Sequence, residues 1–535
     1  IVGLLAGGLA FWERPWFAFT ADTFYHLAAA RSLIVTNAPL VTDPLHKTGA
    51  TGLDPTSGVF HTFLAGMSRV SDVGVEYVYT GFAALAAAAL VWALWALAER
   101  VSGSPTAATL AALGFAAFGV WGDFRMAGMP NRFGVAFLCV ALLALIESTA
   151  REKRGNAALV ASAAGAAALL THLAPAAAIA LFLIAAAAVT LLFGRRLRGG
   201  AAEAPTLAPL LAALLVSLPV AITKVGAVLA SPMTGQAEEL PEAFVWISAG
   251  LLAVKPGKYI GGGPTAFVLM ALIAAWAVYR GLRDRDGVAL TLAAFLAVPL
   301  LLLGFPPVTT LAARLSIYMI ARIALMLKFL PFVAAAWALG TGITALRDRK
   351  EPRKPEAWAL AAAGIALLVA HGIASWPLTQ VTFVEIPGAM RLGEEHTVAE
   401  SREKDVRGSW GLVAIWAADR EFRDTYPIVA ASPETGYYLA GLTDVAIVAA
   451  PESHTPLAVT VTNAVARRHD MAHLLDPAAE EHVRREILDR WNADYVALSL
   501  GEDDERAAWD SMVAQPDLFQ PVVDSYRFGL LRVVR

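Results

Sequence analysis

Residues 175–193 read PAAAIALFLIAAAAVTLLF, and Gly194-Arg195-Arg196-Leu197-Arg198 follow directly. The run carries no charge and has the length of a membrane-crossing helix, about 20 residues. Comparable runs occupy 78–98, 105–121, 133–149, 157–173, 206–230, 264–279, 287–304, 315–346 and 357–376. The 315–346 run is long for one helix, which predicts a tilted or broken one. Residues 1–12 read as the end of a further span, too short to cross alone. They lack an initiator Met and the basic flank and cleavage site of a signal peptide, so a trimmed start is expected. Together the runs predict about eleven transmembrane helices. Composition agrees: 57% of the 535 residues are hydrophobic and 16% charged, against roughly 25% charged in a soluble domain. A net charge of −3 gives no electrostatic footprint for nucleic acid. Cys139 is the single cysteine, which excludes a disulfide framework and a cysteine-based zinc site; within an apolar run it reads as a small core residue.

Short basic loops orient the spans. Arg151, Lys153 and Arg154 form one, and Arg195, Arg196 and Arg198 the next. Arg280, Arg283 and Arg285 form a third, and Arg347, Arg349, Lys350, Arg353 and Lys354 a fourth. Counting spans places all four on one face, expected to be cytoplasmic. Connections 13–76, 122–132, 231–263 and 305–314 then lie outside, with everything after 377. The expected division is a membrane domain over 1–376, with large outer loops at 13–76 and 231–263, and a soluble extracytoplasmic α/β domain over 377–535. In that tail, strand-like Pro427–Ala431, Val445–Ala449 and Tyr495–Leu500 alternate with helical segments. Ala478–Trp491 reads as a surface helix, with Ile487 and Leu488 on its apolar side. The Ala-rich spans allow close helix packing in lipid and say little of function.

Polar residues gather in the outer connections. The first opens Thr20-Ala21-Asp22-Thr23-Phe24-Tyr25-His26 and leads through alanines to Arg31. It is too long for a plain connection and predicts an amphipathic helix just outside the membrane. Two readings of Asp22 stand: a helix cap, or a catalytic or metal-binding carboxylate facing a membrane-embedded cleft. The second connection holds Asp123-Phe124-Arg125-Met126-Ala127-Gly128-Met129-Pro130-Asn131-Arg132-Phe133, and its arginines also suit interfacial anchors. The third holds Thr234-Gly235-Gln236-Ala237-Glu238-Glu239-Leu240-Pro241, whose acids also suit simple solvation. The fourth ends Ala313-Arg314-Leu315-Ser316-Ile317-Tyr318. Arg314 at the mouth of a span either snorkels to headgroups or grips a lipid phosphate through its planar fork. The order of these groups, and their shared face, suit a site acting on a lipid-linked substrate.

In this pattern the chain resembles the catalytic subunit of oligosaccharyltransferases, polytopic α-helical glycosyltransferases of the GT-C superfamily. Asp22 through His26 resemble the family's Asp, two aromatics and His of the first outer loop. Arg125, Gly128 and Asn131 fall in the frame of its second-loop motif, an Arg, a Gly and then Asp-x-Asp. Gly235 to Glu238 with Pro241 resemble its Thr-x-x-Glu followed by Pro. Arg314 to Tyr318 resemble the Arg-Phe-x-x-Tyr that contacts the donor diphosphate. Ser432-Pro433-Glu434-Thr435-Gly436, with Tyr437 and Tyr438, resemble the acceptor-reading Trp-Trp-Asp-Tyr-Gly block. The resemblance spans nearly the whole chain through degenerate motifs.

The resemblance implies an inverting transfer from a polyprenyl phosphate or diphosphate sugar on the outer face. It implies Asp22 as base or metal ligand, Glu238 second in either role, and Arg314 and Arg125 at the donor phosphate. Tyr25, His26 and Asn131 would shape the pocket, and Mg²⁺ or Mn²⁺ would sit at Asp22, Glu238 and Asn131. Asn131 and Phe133 stand where the family has acids, so such a metal loses anionic ligands, although an Asn carbonyl can still ligate. Loss of both Trp and the Asp of the acceptor block points to an acceptor other than an Asn-x-Ser/Thr sequon. The expected partners are a lipid-linked sugar donor, membrane lipids and an unidentified acceptor, with no nucleic acid. Three other readings stand: a GT-C transferase using a polyprenyl-monophosphate sugar on a lipid or polysaccharide, a transporter, and a non-catalytic scaffold. A transporter calls for charges at mid-span, where only Lys224, Arg322 and Lys328 are candidates.

Overall fold

The computed structural model describes residues 21–36, 45, 59–123, 129–171, 173–200, 202–208, 211, 215, 218, 222, 244–248, 251–254, 263–347, 355–380, 422, 425–451, 463–500, 503–524 and 528–535. The chain forms two compact units, one of Ile1–Trp12 and Phe82–Pro387 and one of Glu13–Gly81 and Gly388–Arg535. Helices α1 (Ala21–Thr36) and α2 (Val59–Ser71) belong to the latter. Helix α3 (Val75–Ser102) begins there and continues into the former.

The helical unit proceeds through α4 (Pro105–Gly114), a π-helix over Phe115–Asp123, α5 (Met129–Glu147), α6 (Arg154–Thr171) and α7 (Leu173–Leu197). An antiparallel pair of strands, β1 (Phe244–Ser248) and β2 (Leu251–Val254), precedes α8 (Gly263–Arg283). Then come α9 (Gly287–Gly304), α10 (Pro306–Met326), α11 (Leu330–Arg347) and α12 (Pro355–Gln380). Local chemistry sets several ends. Ser104 caps α4 by accepting from the Ala107 amide, with Pro105 in the first turn. Asp286 caps α9 by accepting from the Val288 and Ala289 amides. The long 315–346 run is broken: α10 ends at Met326, and α11 opens with Leu330-Pro331, whose ring nitrogen cannot continue the preceding hydrogen-bond ladder. The 305–314 connection, expected as an outer loop, is instead mostly the start of α10, which Pro306 and Pro307 initiate.

Six described helical stretches are long and apolar enough to cross a membrane: Leu85–Ser102, Ala177–Leu197, Gly263–Arg283, Gly287–Gly304, Arg322–Arg347 and Pro355–Ala374. Residues 1–12, and most of 206–230, lie outside the described residues. Leu211, Leu215, Leu218 and Ile222, within the latter run, are helical, exposed and spaced along one helix face. Trp92, Leu159, Ile184, Leu191, Leu192 and Ile373 also expose most of their apolar surface. Such a surface is at rest in lipid and unfavourable in water. Lipid removes the usual hydrophobic drive between helices, so contact rests on close packing of small residues. A Cβ on Gly342 would lie 2.7 Å from the Ala357 carbonyl oxygen, and one on Gly364 would lie 2.9 Å from that of Ala335. Backbone therefore meets backbone between α11 and α12. Cys139 is fully buried, as its apolar setting suggested.

The basic loops converge at one end of this unit. Arg100 near the end of α3 pairs with Glu147 at the end of α5 at 2.5 Å, and Lys153 reaches the same carboxylate at 2.8 Å. The Glu203 amide donates to the Thr149 carbonyl and the Thr206 amide to the Ser148 hydroxyl, both at 3.0 Å. The Gly287 amide donates to the Ala202 carbonyl at 3.1 Å. A Cβ on Gly340 of α11 would lie 2.6 Å from the Ser102 carbonyl oxygen. These contacts tie the loops after α3, α5, α7 and α8 to the C-terminal half of α11, as the charge count required.

The other unit carries β3 (Ile428–Ala431), α13 (Pro433–Leu442), β4 (Ala446–Ile447), α14 (Ala464–Leu474), α15 (Glu481–Trp491), β5 (Tyr495–Ser499), α16 (Asp503–Val513), β6 (Phe519–Asp524) and β7 (Phe528–Val533). Its sheet runs β4-β3-β5-β7-β6, parallel over the first three strands and antiparallel over the last two pairings. The three strands and the 478–491 helix expected from sequence are present, with Ile487 and Leu488 buried. The β6–β7 hairpin was not read from the sequence. Arg484 is wholly buried on α15, donating to the Asp476 carbonyl and the Ser511 hydroxyl, and desolvation lowers its pKa.

Two measurements check this architecture. On a Cys139→Ala background, Glu152→Cys, Arg198→Cys and Arg285→Cys are expected to react with an impermeant maleimide from the same side of the membrane; opposite-side labelling of any one contradicts the convergence. Gly342→Val is expected to destabilise the detergent-solubilised protein by about 1–3 kcal/mol through overpacking, read as a lower melting temperature.

Candidate active site

The first-loop motif lies at the start of α1, and its surroundings are built within one unit. From Thr23 to Ile34 no residue of α1 is exposed. The amphipathic helix expected just outside the membrane is buried or half-buried over this stretch, because α2, α13 and the first turns of α3 pack against it. Phe24 is fully buried with its ring edge-on to Tyr438 at 4.6 Å and Tyr437 at 6.0 Å. Gly441 makes this seat possible: a Cβ there would lie 2.8 Å from both Cα and Cβ of Phe24. The Tyr25 amide donates to the Tyr437 hydroxyl at 3.0 Å. Thr23 and Tyr79 hydroxyls meet at 3.3 Å.

Tyr437 and Tyr438 belong to the 432–438 stretch singled out from the sequence. Ser432 follows β3 and Pro433 opens α13, so the stretch occupies a strand-to-helix turn at the C-terminal end of a parallel strand. Glu434 is exposed, and the Ser432 and Thr435 hydroxyls meet at 3.0 Å. Two motifs some four hundred residues apart in sequence are therefore in direct contact.

Arg31 fastens the assembly. Its guanidinium pairs with Glu76 at 2.5 Å and Asp444 at 3.1 Å and donates to the Gly441 carbonyl at 3.1 Å. Arg31 and Glu76 are almost wholly buried. A charge-assisted network of this kind is strong when complete and costly when one partner is removed. Leu45, also fully buried, accepts the Ile447 amide at 2.8 Å and so extends the contact to the edge strand β4.

Of the residues singled out from sequence, Tyr25 and His26 lie together, half-buried on α1. Asp22 lies one turn before His26 on the same helix, Asn131 in the first turn of α5, and Arg314 within α10; their side chains lie outside the described residues. Arg125 and Glu238 lie wholly outside them. The π-helix ends at Asp123, at the entry to the second-loop motif; wide turns of this kind are frequent at functional sites. His61 on α2 was not singled out, yet its Nε2 lies 2.8 Å from Nδ1 of His26. Its sequence signal, a lone His between Phe60 and Phe63 in an apolar-striped segment, says nothing of a partner thirty-five residues away. Among the described residues no cluster of three or more His, Cys, Asp or Glu could hold a metal.

The architecture shares its fold with solved structures of membrane enzymes, in keeping with the fold that the sequence resemblance implied. Neither a family model nor a curated protein sequence matches the chain. Among solved structures it is similar to the oligosaccharyltransferase AglB of Archaeoglobus fulgidus in complex with an inhibitory peptide and a dolichol-phosphate. That pair shares 12% identity at a TM-score of 0.53, over 99% of this chain and 73% of that one. It is also similar to the Archaeoglobus fulgidus oligosaccharyltransferase in the apo form, with 13% identity, a TM-score of 0.52, and 93% and 69% coverage. ArnT of Cupriavidus metallidurans bound to undecaprenyl phosphate gives 14% identity and a TM-score of 0.52, over 98% and 97% of the two chains. At these identities the likeness is one of fold.

Removing Arg31 tests how the motif is held. Arg31→Met is expected to cost on the order of 3 kcal/mol by leaving Glu76 and Asp444 without their shared cation. Adding Glu76→Gln should recover part of that loss in a denaturation double-mutant cycle. Strict additivity of the two changes contradicts the network.

Proposed function

We propose that this chain is a membrane glycosyltransferase moving a sugar or glycan from a polyprenyl-linked phosphate donor to an acceptor on the outer face of the membrane. The observation that carries the reading is the seat of the Asp22–His26 motif against the 432–438 turn, on a fold shared with enzymes captured with dolichol-phosphate and undecaprenyl phosphate.

The chemistry follows from what such a transfer needs. An acceptor O–H or N–H loses its proton as its heteroatom bonds to the anomeric carbon. The bond from that carbon to the phosphate oxygen breaks, and the electron pair leaves with the phosphate. Asp22 is assigned as the base that takes the proton, with Glu238 second in that role. Arg314 is assigned to the departing phosphate, whose developing charge its fork of donors stabilises, with Arg125 the weaker candidate. Attack opposite the leaving phosphate inverts the anomeric centre. Tyr25, His26 and Asn131 are assigned to the pocket wall.

The donor set does not fit a hard divalent cation. Asn131 and Phe133 stand in place of two acids that the resemblance calls for, and the Phe133 ring centroid lies 6.2 Å from that of Phe82. Mg²⁺ and Mn²⁺ favour carboxylate oxygens, so no step is assigned to a metal here.

A second reading, transfer of a monosaccharide from a polyprenyl monophosphate to a lipid or polysaccharide, is supported by the likeness to ArnT bound to undecaprenyl phosphate. Parallel assays of the purified chain with monophosphate and diphosphate donors, read by the mass gained by acceptors, separate the two.

Asp22→Ala is expected to lower transfer by about 10²-fold or more with an unchanged melting temperature. EDTA is expected to leave the wild-type rate unaltered. Wild-type turnover in Asp22→Ala removes Asp22 as the base, and loss of activity in EDTA restored by Mn²⁺ reverses the assignment of a metal-free site. A wild-type chain that holds lipid donor without turnover indicates a scaffold or binding protein.

A further inference from the structure

His26 on α1 and His61 on α2 face each other, Nδ1 to Nε2, at 2.8 Å. Their ring centroids are 5.0 Å apart with planes within 29°. That separation exceeds the nitrogen distance by about two ring radii, so the rings meet edge to edge through one in-plane N–H···N bond, of ordinary hydrogen-bond length. His61 is 2% exposed, its ring bordered by those of Tyr25 and Phe60, and the edge of Phe60 also meets His26.

A histidine in such a place has a cost that a phenylalanine lacks, since a buried polar ring requires a partner. Here the partner is His26, one helical turn after Asp22 and on the same face of α1. Only one proton fits between the two facing nitrogens. When it resides on Nδ1 of His26, the Nε2 of His26 is bare and accepts. When it resides on Nε2 of His61, a neutral His26 carries its own proton on Nε2 and donates. His61 thus holds the ring orientation of His26 and couples the tautomers of the two rings.

We propose that His61 is a positioning residue for the transfer reaction: through this bond it holds His26 so that Nε2 is presented to the substrate on the Asp22 face of α1. The role rests on the reading of the chain as a lipid-linked sugar transferase, whereas the pairing rests on geometry alone.

The test uses the purified full chain and the variants His61→Phe, which keeps an aromatic ring but no nitrogen, and His61→Gln, which restores a polar amide near the place of Nε2. Two quantities are read: kcat and KM with a polyprenyl-linked sugar pool, and the rate of carbethoxylation of His26 by diethyl pyrocarbonate, followed by peptide mass. In His61→Phe, kcat is expected to fall about tenfold or more through misorientation, with KM and melting temperature unchanged and His26 modified faster. In His61→Gln most of both losses is recovered. Should His61→Phe fail to accumulate, His61→Leu takes its place. Wild-type kcat in the apolar variant overturns the role, leaving His61 as packing. An unchanged carbethoxylation rate overturns the pairing. A wild-type chain without transferase activity overturns the reaction and the role together, while carbethoxylation still decides the pairing, so the two failures are distinguishable.

Discussion

Phe24 pressed against the bare Cα of Gly441 is the contact on which the second unit depends. It sets the distance between α1 and α13, and at that distance the Tyr437 hydroxyl reaches the Tyr25 amide and Arg31 reaches the Gly441 carbonyl. A Phe buried in this way is worth about 1.5–3 kcal/mol in apolar burial. Its consequence is larger than its energy, because ion pairs and hydrogen bonds of fixed geometry form only once the two helices lie this close. The second residue of the helix that Phe24 anchors is Asp22, and His26 follows two positions after Phe24. Packing at this point therefore governs how rigidly the motif is held, which is what a site that must orient a base requires.

The helical unit obeys a different constraint. Lipid supplies no hydrophobic drive between helices, so cohesion comes from small residues that let backbones touch and from ion pairs at helix ends. Gly342 against Ala357, Gly340 against Ser102, and the Arg100–Glu147–Lys153 cluster are instances of both. The gathering of basic loops at one end follows from counting alone, since each pass through the bilayer returns the chain to the opposite face.

Much of this was legible in the chain. Apolar runs gave most helices to within a few residues, and the strands β3, β4 and β5 were readable from their β-branched composition. The break between α10 and α11 was half legible: the run was too long, but only Pro331 in context shows where it divides. The β6–β7 hairpin escaped because Phe519–Asp524 includes Pro521 and charge at its end, and its partner, not its own pattern, makes it a strand. The enclosure of α1 escaped for a related reason. Its sequence reads as an amphipathic helix, whereas α2 and α13 pack against it from distant parts of the chain.

The sequence by itself determined the apolar helices of a membrane protein, the basic loops between them and the α/β character of the C-terminal tail. Those properties are local or additive: hydropathy, charge and spacing along one segment are enough to fix them. The tertiary structure alone decided that the motif meets the 432–438 turn, that Arg31 joins Glu76 to Asp444, and that His61 is bonded to His26. Each of these joins residues from 35 to 413 positions apart. Such contacts depend on which helix faces are brought within hydrogen-bond reach, and side-chain spacing along a single segment does not specify that.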